Sequence, residues 1–358
     1  MGERHGARRG RIWRQAAVAA GAAVLVAVGA PLIGLAPAGA VPQAYLGSDG
    51  RIAYVHKGDI YSLEFKPVKP FAFDRRRLTW TGHVSGPRWS PNGAHLAYLY
   101  RGNLWIMNAN GSHKTQITRS APAFTDSRPT WSPNGRYLAF VRTRRQRSYG
   151  YLIRYDTVRH QFATFTTAVN GHLTSVSALP SAVAWTWALN AANHRESLIA
   201  FQGAALQCPK PYKYCLDTLG FAHQGQYSGG TVSPEGSSGT TRLSDPDWNA
   251  VSPTSPKPFP AVNLLTTVLD CATSPCTAGL SLTIGGAVQQ IPGTPAYEGV
   301  FAPGATPTGG YIAYVENLAT GGSYIYLAGI PFILNDWHPI PLTAGSEPDW
   351  QPTAPFPG

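Results

Sequence analysis

The chain has 358 residues, enough to bury a substantial core, and it carries 38 Gly and 31 Pro while only 13% of its residues are charged. That composition points to short strands joined by tight turns and excludes an architecture of long helices. Hydrophobic residues make up 43%, with 10 Trp and 17 Tyr, which excludes a disordered chain; the formal net charge is +11.

In chain order, the first element is an export segment. Arg4, Arg8, Arg9, Arg11 and Arg14 precede an Ala/Val/Leu/Gly run from Ala16 to about Ala36. Ala38-Gly39-Ala40 has the small residues that a signal peptidase accepts, so residues 1–40 are expected to be a signal peptide. The run also approaches the roughly 20 residues that span a bilayer, and an N-terminal membrane anchor is the alternative. Either way the basic flank keeps the start inside and sends the remainder out, to an extracellular, periplasmic or membrane-tethered location on the outer side. Arg8-Arg9 matches a twin-arginine signal only in part. Without this segment the charge falls to about +7.

The rest of the chain is organised by an internal repeat. Residues 87–99 read PRWSPNGAHLAYL and residues 129–141 read PTWSPNGRYLAFV, offset by 42, a period typical of one four-stranded propeller blade. Each copy is a hairpin, with a Trp-bearing strand, an Asn-Gly turn that supplies residues with φ > 0, and a second apolar strand. The first-strand aromatic recurs at Trp89, Trp131, Trp185, Trp248, Phe301 and Trp350. Second strands follow an aliphatic-Ala-aromatic pattern at Ile52-Ala53-Tyr54, Leu96-Ala97-Tyr98, Leu138-Ala139-Phe140, Ile199-Ala200-Phe201 and Ile312-Ala313-Tyr314; the fifth blade lacks it. Third strands are predicted near residues 60–65, 104–108, 151–155, 214–221, 280–284 and 324–327. Fourth strands end in an apolar-hydroxyl pair at Leu78-Thr79, Ile117-Thr118, Phe165-Thr166, Leu243-Ser244 and Leu342-Thr343, with Ile291-Pro292 as a weaker member.

The repeat begins out of phase, because residues 52–55 are a second strand with no first strand before them. The missing strand is Glu347-Pro348-Asp349-Trp350-Gln351-Pro352, near the C-terminus. The expected fold is all-β: a six-bladed β-propeller of four-stranded antiparallel blades over residues 41–352, closed by a C-terminal strand that completes the N-terminal blade, with 353–358 as a tail. Such closure pairs edges that would otherwise stay open.

These motifs resemble the TolB-like propeller family, whose repeat is P-x-W-S-P-D-G, then an I-A-F strand, an I-Y strand and a terminal L-T. The resemblance covers residues 45–352. TolB itself has a further domain ahead of its propeller, for which this sequence leaves no room, so the resemblance implies the propeller fold and a tendency to bind protein or ligand rather than the Tol role.

Four cysteines in an oxidising compartment can pair in three ways. Cys208 and Cys215 lie between the second and third strands of the fourth blade, and Cys271 and Cys276 at the equivalent place in the fifth, so two local disulfides are expected. The spacings lack the paired C-x-x-C arrangement of a metal site, and no metal or cofactor is expected. No H-E-x-x-H, P-loop or EF-hand is present. Gln226-Tyr227-Ser228-Gly229-Gly230 lacks the leading Gly of a nucleophile elbow and reads as an inserted loop. No catalytic residues are assigned.

Two groups remain as candidate binding residues. Arg88, Thr130, Asp247 and Asp349 each precede a first-strand Trp; because first strands are innermost, they are placed at the channel mouth, with local capping or pairing to neighbouring blades as the alternative. Arg142, Arg144, Arg145 and Arg147 form a basic loop suited to an anionic surface, or simply solvated. No nucleic-acid motif accompanies them. The expected function is an exported, non-catalytic binding module of the cell envelope, a monomer that captures a protein, glycan or small ligand through loops and channel. The alternative is a metal-dependent, lactonase-like hydrolase using channel carboxylates, for which the sequence offers Asp247, Asp349 and Glu347.

Overall fold

The structure, a computed structural model, describes residues 50–352 apart from 67–71, 170–171, 190–194, 204–215, 222–226, 233–240, 249–263, 271–276, 285–286, 292–295, 302–310, 319 and 330–338. The chain divides into two units, Met1–Val41 and Pro42–Gly358. The export segment with its cleavage site, the tail 353–358 and all four cysteines lie outside the described residues.

The second unit is an all-β propeller. Its first sheet has the strand order Ser346–Trp350, Ile52–His56, Asp59–Lys66, Ala72–Arg77. The second sheet is Val84–Trp89, His95–Tyr100, Asn103–Asn108, Thr115–Gln116. A third, nine-stranded sheet runs from Phe124–Asp126 through Tyr137–Arg144, Gly150–Asp156, Ser177–Leu189, Arg195–Gly203 and Leu216–Phe221 to Tyr227–Val232. Thr130–Trp131 and Gln161–Thr164 pair with two of its strands. The fourth sheet is Thr241–Trp248, Leu264–Asp270, Thr277–Ile284, Ala287–Gln290, and the fifth is Ala296–Phe301, Tyr311–Asn317, Ser323–Gly329, Ile340–Ala344.

Described sheets thus number four with four strands and one with nine, where the repeat predicts six alike. The nine-stranded sheet contains the strands expected for the third and fourth blades, joined by a ladder of only two residue pairs, Gly150↔Ala178 and Tyr151↔Ser177. A two-stranded ribbon, Thr166–Val169 with His172–Ser175, follows the third blade's last strand.

The repeated motifs have a physical cause in the inner hairpin. Each first-strand aromatic lies opposite the aliphatic residue that opens the second strand: Trp350↔Ile52, Trp89↔Leu96, Trp131↔Leu138, Trp185↔Ile199, Trp248↔Leu264 and Phe301↔Ile312. Second strands are buried on both faces, which explains why they read as continuous apolar runs instead of alternating. Leu96 and Tyr98 pack toward the first sheet, in a cluster with Ala53, Ile60 and Trp89, while Ala97 packs toward the third with Leu104, Trp131 and Phe140. Ala fits where adjacent sheets approach closely, and each large side chain buried there contributes about 1.5–3 kcal/mol. In the fourth sheet buried Leu265 and Thr266 stand where the others carry the Ala-aromatic pair, so its second strand escapes the pattern but not the fold.

The terminal hydroxyl also has a reason. Thr79 Oγ1 accepts from Ile60 N at 2.8 Å and Thr118 Oγ1 from Leu104 N at 2.8 Å, so the hydroxyl satisfies the amide where the outer ladder ends. Ile291 N donates to Leu280 O at 2.8 Å, giving the weaker sixth member the same position as Ile117. Two expectations are corrected. Leu243-Ser244 belongs to the inner strand Thr241–Trp248, and the outer strand of the preceding sheet is Tyr227–Val232. That edge strand includes most of the segment expected as an inserted loop; its Gly pair lies opposite Thr218 and Leu219 on Leu216–Phe221.

Candidate functional site

The inner strands share a β-bulge, an extra residue that bends the strand and re-aims a side chain. Their sequences align as Ser85-Gly86-Pro87-Arg88-Trp89, Ser127-Arg128-Pro129-Thr130-Trp131, Ser244-Asp245-Pro246-Asp247-Trp248, Tyr297-Glu298-Gly299-Val300-Phe301 and Ser346-Glu347-Pro348-Asp349-Trp350. The register slips after the first residue of each, or the strand is interrupted, as it is at 127–129. The second residue has φ of 58° at Gly86, 47° at Asp245, 52° at Glu298 and 53° at Glu347. Three non-glycine residues in the left-handed region at equivalent positions indicate a built feature rather than an accident of one loop.

These bulges converge on Arg128. Its Nη2 lies 2.6 Å from Glu298 Oε1 and 3.1 Å from Glu347 Oε1, and its Nη1 is 3.8 Å from Asp245 Oδ1. Glu347 N donates to Glu298 Oε2 at 2.9 Å, Gly86 N donates to Glu347 Oε2 at 2.5 Å, and Glu298 N donates to Thr267 Oγ1 at 2.9 Å. Charge and hydrogen bonds therefore tie residues from all five main sheets around the axis. Burial opposes ionisation of Glu298, but Arg128 and the Glu347 amide outweigh it and hold its carboxyl below the ordinary range. Burial likewise opposes the Arg128 charge, and the three carboxylates raise its affinity for the proton regardless.

A second network ties the first sheet to the second. Asp349 Oδ2 accepts from Trp89 N at 2.5 Å, and Asp349 Oδ1 is 3.3 Å from Arg88 Nη1. Burial pushes the Asp349 carboxyl up to about 6 even though Arg88 pulls it down. Arg88 also serves the next sheet, since Trp131 Nε1 donates to its carbonyl oxygen at 3.0 Å; Trp248 Nε1 donates to Ala184 O in the same way at 3.2 Å. At Trp131 and Trp248 the inner Trp thus both fills the interface and bonds across it.

The structure places the residues of the sequence reading as follows. Arg88 and Asp349 pair with each other, Thr130 is buried opposite Ala139, and Asp247 is half-buried opposite Leu265. Arg142 lies in a strand and pairs with buried Asp126 at 2.7 Å, whereas Arg144, Arg145 and Arg147 are exposed at the following turn. Of the axial group the sequence reading reached only Glu347; Arg128, Asp245 and Glu298 were missed because side-chain type varies between copies, and the Ser-x-Pro-x-Trp frame that marks the position is absent around Glu298.

A carboxylate-lined axis is where a catalytic metal of the alternative reading would sit. The residues do not fit one: the Arg128 guanidinium already stands as the cation among Asp245, Glu298 and Glu347. Among the described residues no other cluster of His, Cys, Asp or Glu could hold a metal ion. A cavity of about 500 Å³ lies between the second and third sheets, at the end of the propeller that carries the Asn-Gly turns. Its lining includes Asn92, His95, Asn108, His113, Trp131 and His160.

Comparison with known proteins supplies the setting. A family model described as the dipeptidyl peptidase IV N-terminal region matches residues 48–147. A search of curated proteins finds no match. TolB from Acinetobacter baumannii is 13% identical with a TM-score of 0.54, over 85% of this chain and 67% of that one. A chain of a nidogen/laminin complex is 6% identical with a TM-score of 0.52, over 85% of this chain and 98% of that one. A TolB-like protein from Agrobacterium tumefaciens is 14% identical, with a TM-score of 0.48 over 84% of this chain and 92% of that one. At such identities what is shared is the fold, and the chain is an all-β propeller similar to TolB.

Proposed function

We propose that the chain is a six-bladed propeller acting as an exported, non-catalytic binding module of the cell envelope, whose partner is a protein, glycan or small ligand held by its turn faces. The blade count rests on packing. The halves of the nine-stranded sheet each begin with their own Trp hairpin, and Ala139 and Leu152 of one half pack against Ile199 and Phe201 of the other, face to face like neighbouring blades. Export rests on the basic flank and apolar run of residues 1–36.

The observation that carries the binding reading is that Arg128 engages the axial carboxylates. The charges that would hold a metal or serve as a base are committed to joining sheets, so recognition falls to the turns at the two ends and the cavity between sheets. The nidogen/laminin neighbour, solved as a complex, favours a protein partner. Two measurements test this. Elemental analysis of the purified protein is expected to find no stoichiometric divalent ion. Affinity capture from native envelope extract is expected to retain a component that is lost when the bait is heat-unfolded. A stoichiometric divalent metal together with lactone hydrolysis overturns the proposal in favour of the hydrolase.

A further inference from the structure

The two ends of the propeller carry different turns. One end carries the Asn-Gly turns and the cavity. At the other, successive turns are linked edge to edge by backbone hydrogen bonds: Val84 N to Gly58 O at 3.0 Å, Arg101 N to His83 O at 3.2 Å, Asp126 N to Gly102 O at 3.1 Å, and Arg145 N to Ala123 O at 2.9 Å. These bonds make one continuous arc across the first three sheets. Exposed along it are Lys57, Arg101, Arg119, Arg144, Arg145 and Arg147, and none of the six has a carboxylate partner among the described residues. The acids of the same turns, Asp59 and Asp126, are buried and neutralised by Arg77 and Arg142. The arc therefore presents six uncompensated positive charges.

Large apolar side chains project from the same turns. Trp80 is 67% exposed, Tyr149 42% and Phe124 38%, and the Arg77 guanidinium lies 5.8 Å from the Trp80 ring. Aromatic rings beside Arg and Lys are the side chains found where a protein meets the interfacial layer of a bilayer. We propose that this end of the propeller docks on an anionic phospholipid surface. The arginines would meet headgroup phosphates, while Trp80, Phe124 and Tyr149 enter the interfacial layer. A soluble polyphosphate offers nothing to the aromatic rings. The basic groups are spread over an arc and converge on no pocket, which suits a planar array of headgroups better than a single ligand. This names a partner for one end of the binding module, and it stands on the geometry of these turns whichever ligand the opposite end takes.

Cosedimentation of the purified full chain with phosphatidylcholine vesicles, with and without phosphatidylglycerol, tests it. The apolar run 16–36 and the arginines before it are common to parent and variants, so partitioning is compared at a lipid concentration that binds half of the parent. Phosphatidylglycerol is expected to raise binding, and rising salt to reverse it. The triple variant Arg144→Gln/Arg145→Gln/Arg147→Gln is expected to lower partitioning about fivefold per arginine. Trp80→Ser is expected to lower it further, and Lys114→Gln/Arg159→Gln at the opposite end to leave it unchanged. Melting temperatures verify that each variant is folded. Equal binding to both vesicle types, or a triple variant that binds like the parent, overturns the proposal. Insensitivity to Trp80→Ser, with equal binding to soluble polyphosphate, overturns it in favour of an anionic polymer.

Discussion

Replacing Arg128 by Met keeps most of the side-chain volume and removes the guanidinium that contacts Glu298, Glu347 and Asp245, leaving Arg88 as a more distant positive charge on Glu298. The guanidinium is 2.6, 3.1 and 3.8 Å from their oxygens, and all four side chains are at least three-quarters buried. Breaking a buried ion network from one side typically costs about 3–5 kcal/mol, because the remaining charges stay desolvated without a partner. For a domain of this size that corresponds to a fall in melting temperature of roughly 5–8 °C. The loss carries a pH signature. Arg128 lowers the Glu298 pKa in the folded state, so the stability this pairing provides is present above the unfolded-state value and fades as pH falls through the folded one. The gap between parent and Arg128→Met is therefore expected to be wide near pH 7.5 and narrower near pH 4, because the variant's unpaired, buried carboxyls take up protons while Arg128 still holds Glu298 ionised in the parent. Urea unfolding of both proteins at the two pH values measures it. Adding Glu298→Gln and Glu347→Gln to the variant should recover much of the loss. An unchanged midpoint at neutral pH, or an equal loss at both pH values, refutes the idea that the axial charges hold the sheets together.

Three further outcomes follow from the same geometry. Deleting residues 346–358 removes the strand paired with Ile52–His56, the Glu347 contact to Arg128 and the Asp349 contact to Trp89; a single lowered transition for the whole domain is expected by calorimetry, and an unchanged melting temperature counts against closure. Asp349 has the opposite linkage to Glu298. Its folded pKa is raised to about 6, so between the unfolded value near 4 and about 6 the unfolded chain loses this proton first and stability drops by about 3 kcal/mol as pH rises; Asp349→Asn should flatten that slope in denaturant titrations. Thr79→Val keeps the shape but removes the hydroxyl that accepts from Ile60 N and donates to Asp59 Oδ1 at 2.9 Å, and should cost about 1–3 kcal/mol by chemical denaturation.

Much of the fold was legible because the inner hairpin imposes side chains at fixed places. Trp89 must fill the gap beside Leu96, and Ala97 must be small where two sheets meet, so residue types repeat and the period shows. The fourth sheet was harder to see because Leu265 and Thr266 hold the buried places that the Ala-aromatic pair takes elsewhere. An apolar-hydroxyl pair is too short a signal to carry a strand assignment unaided, and Leu243-Ser244 shows the failure: it matches the pair yet lies in an inner strand. At the axis the backbone repeats and the side chains do not. Gly86, Arg128, Asp245, Glu298 and Glu347 occupy one structural position with three different charges, because what each needs is a complement across the axis rather than a likeness to its counterpart. Attention to the residue before each Trp led instead to Arg88 and Asp349, two strand positions away, whose partnership joins two sheets.

The pairing of Ile52 with Trp350 joins residues from the two ends of the described stretch. Synthesis makes Ile52–His56 well before that partner, so its edge stays open while the intervening sheets are made. A chain clipped ahead of residue 346 keeps that edge open, a template on which a strand of another copy can add.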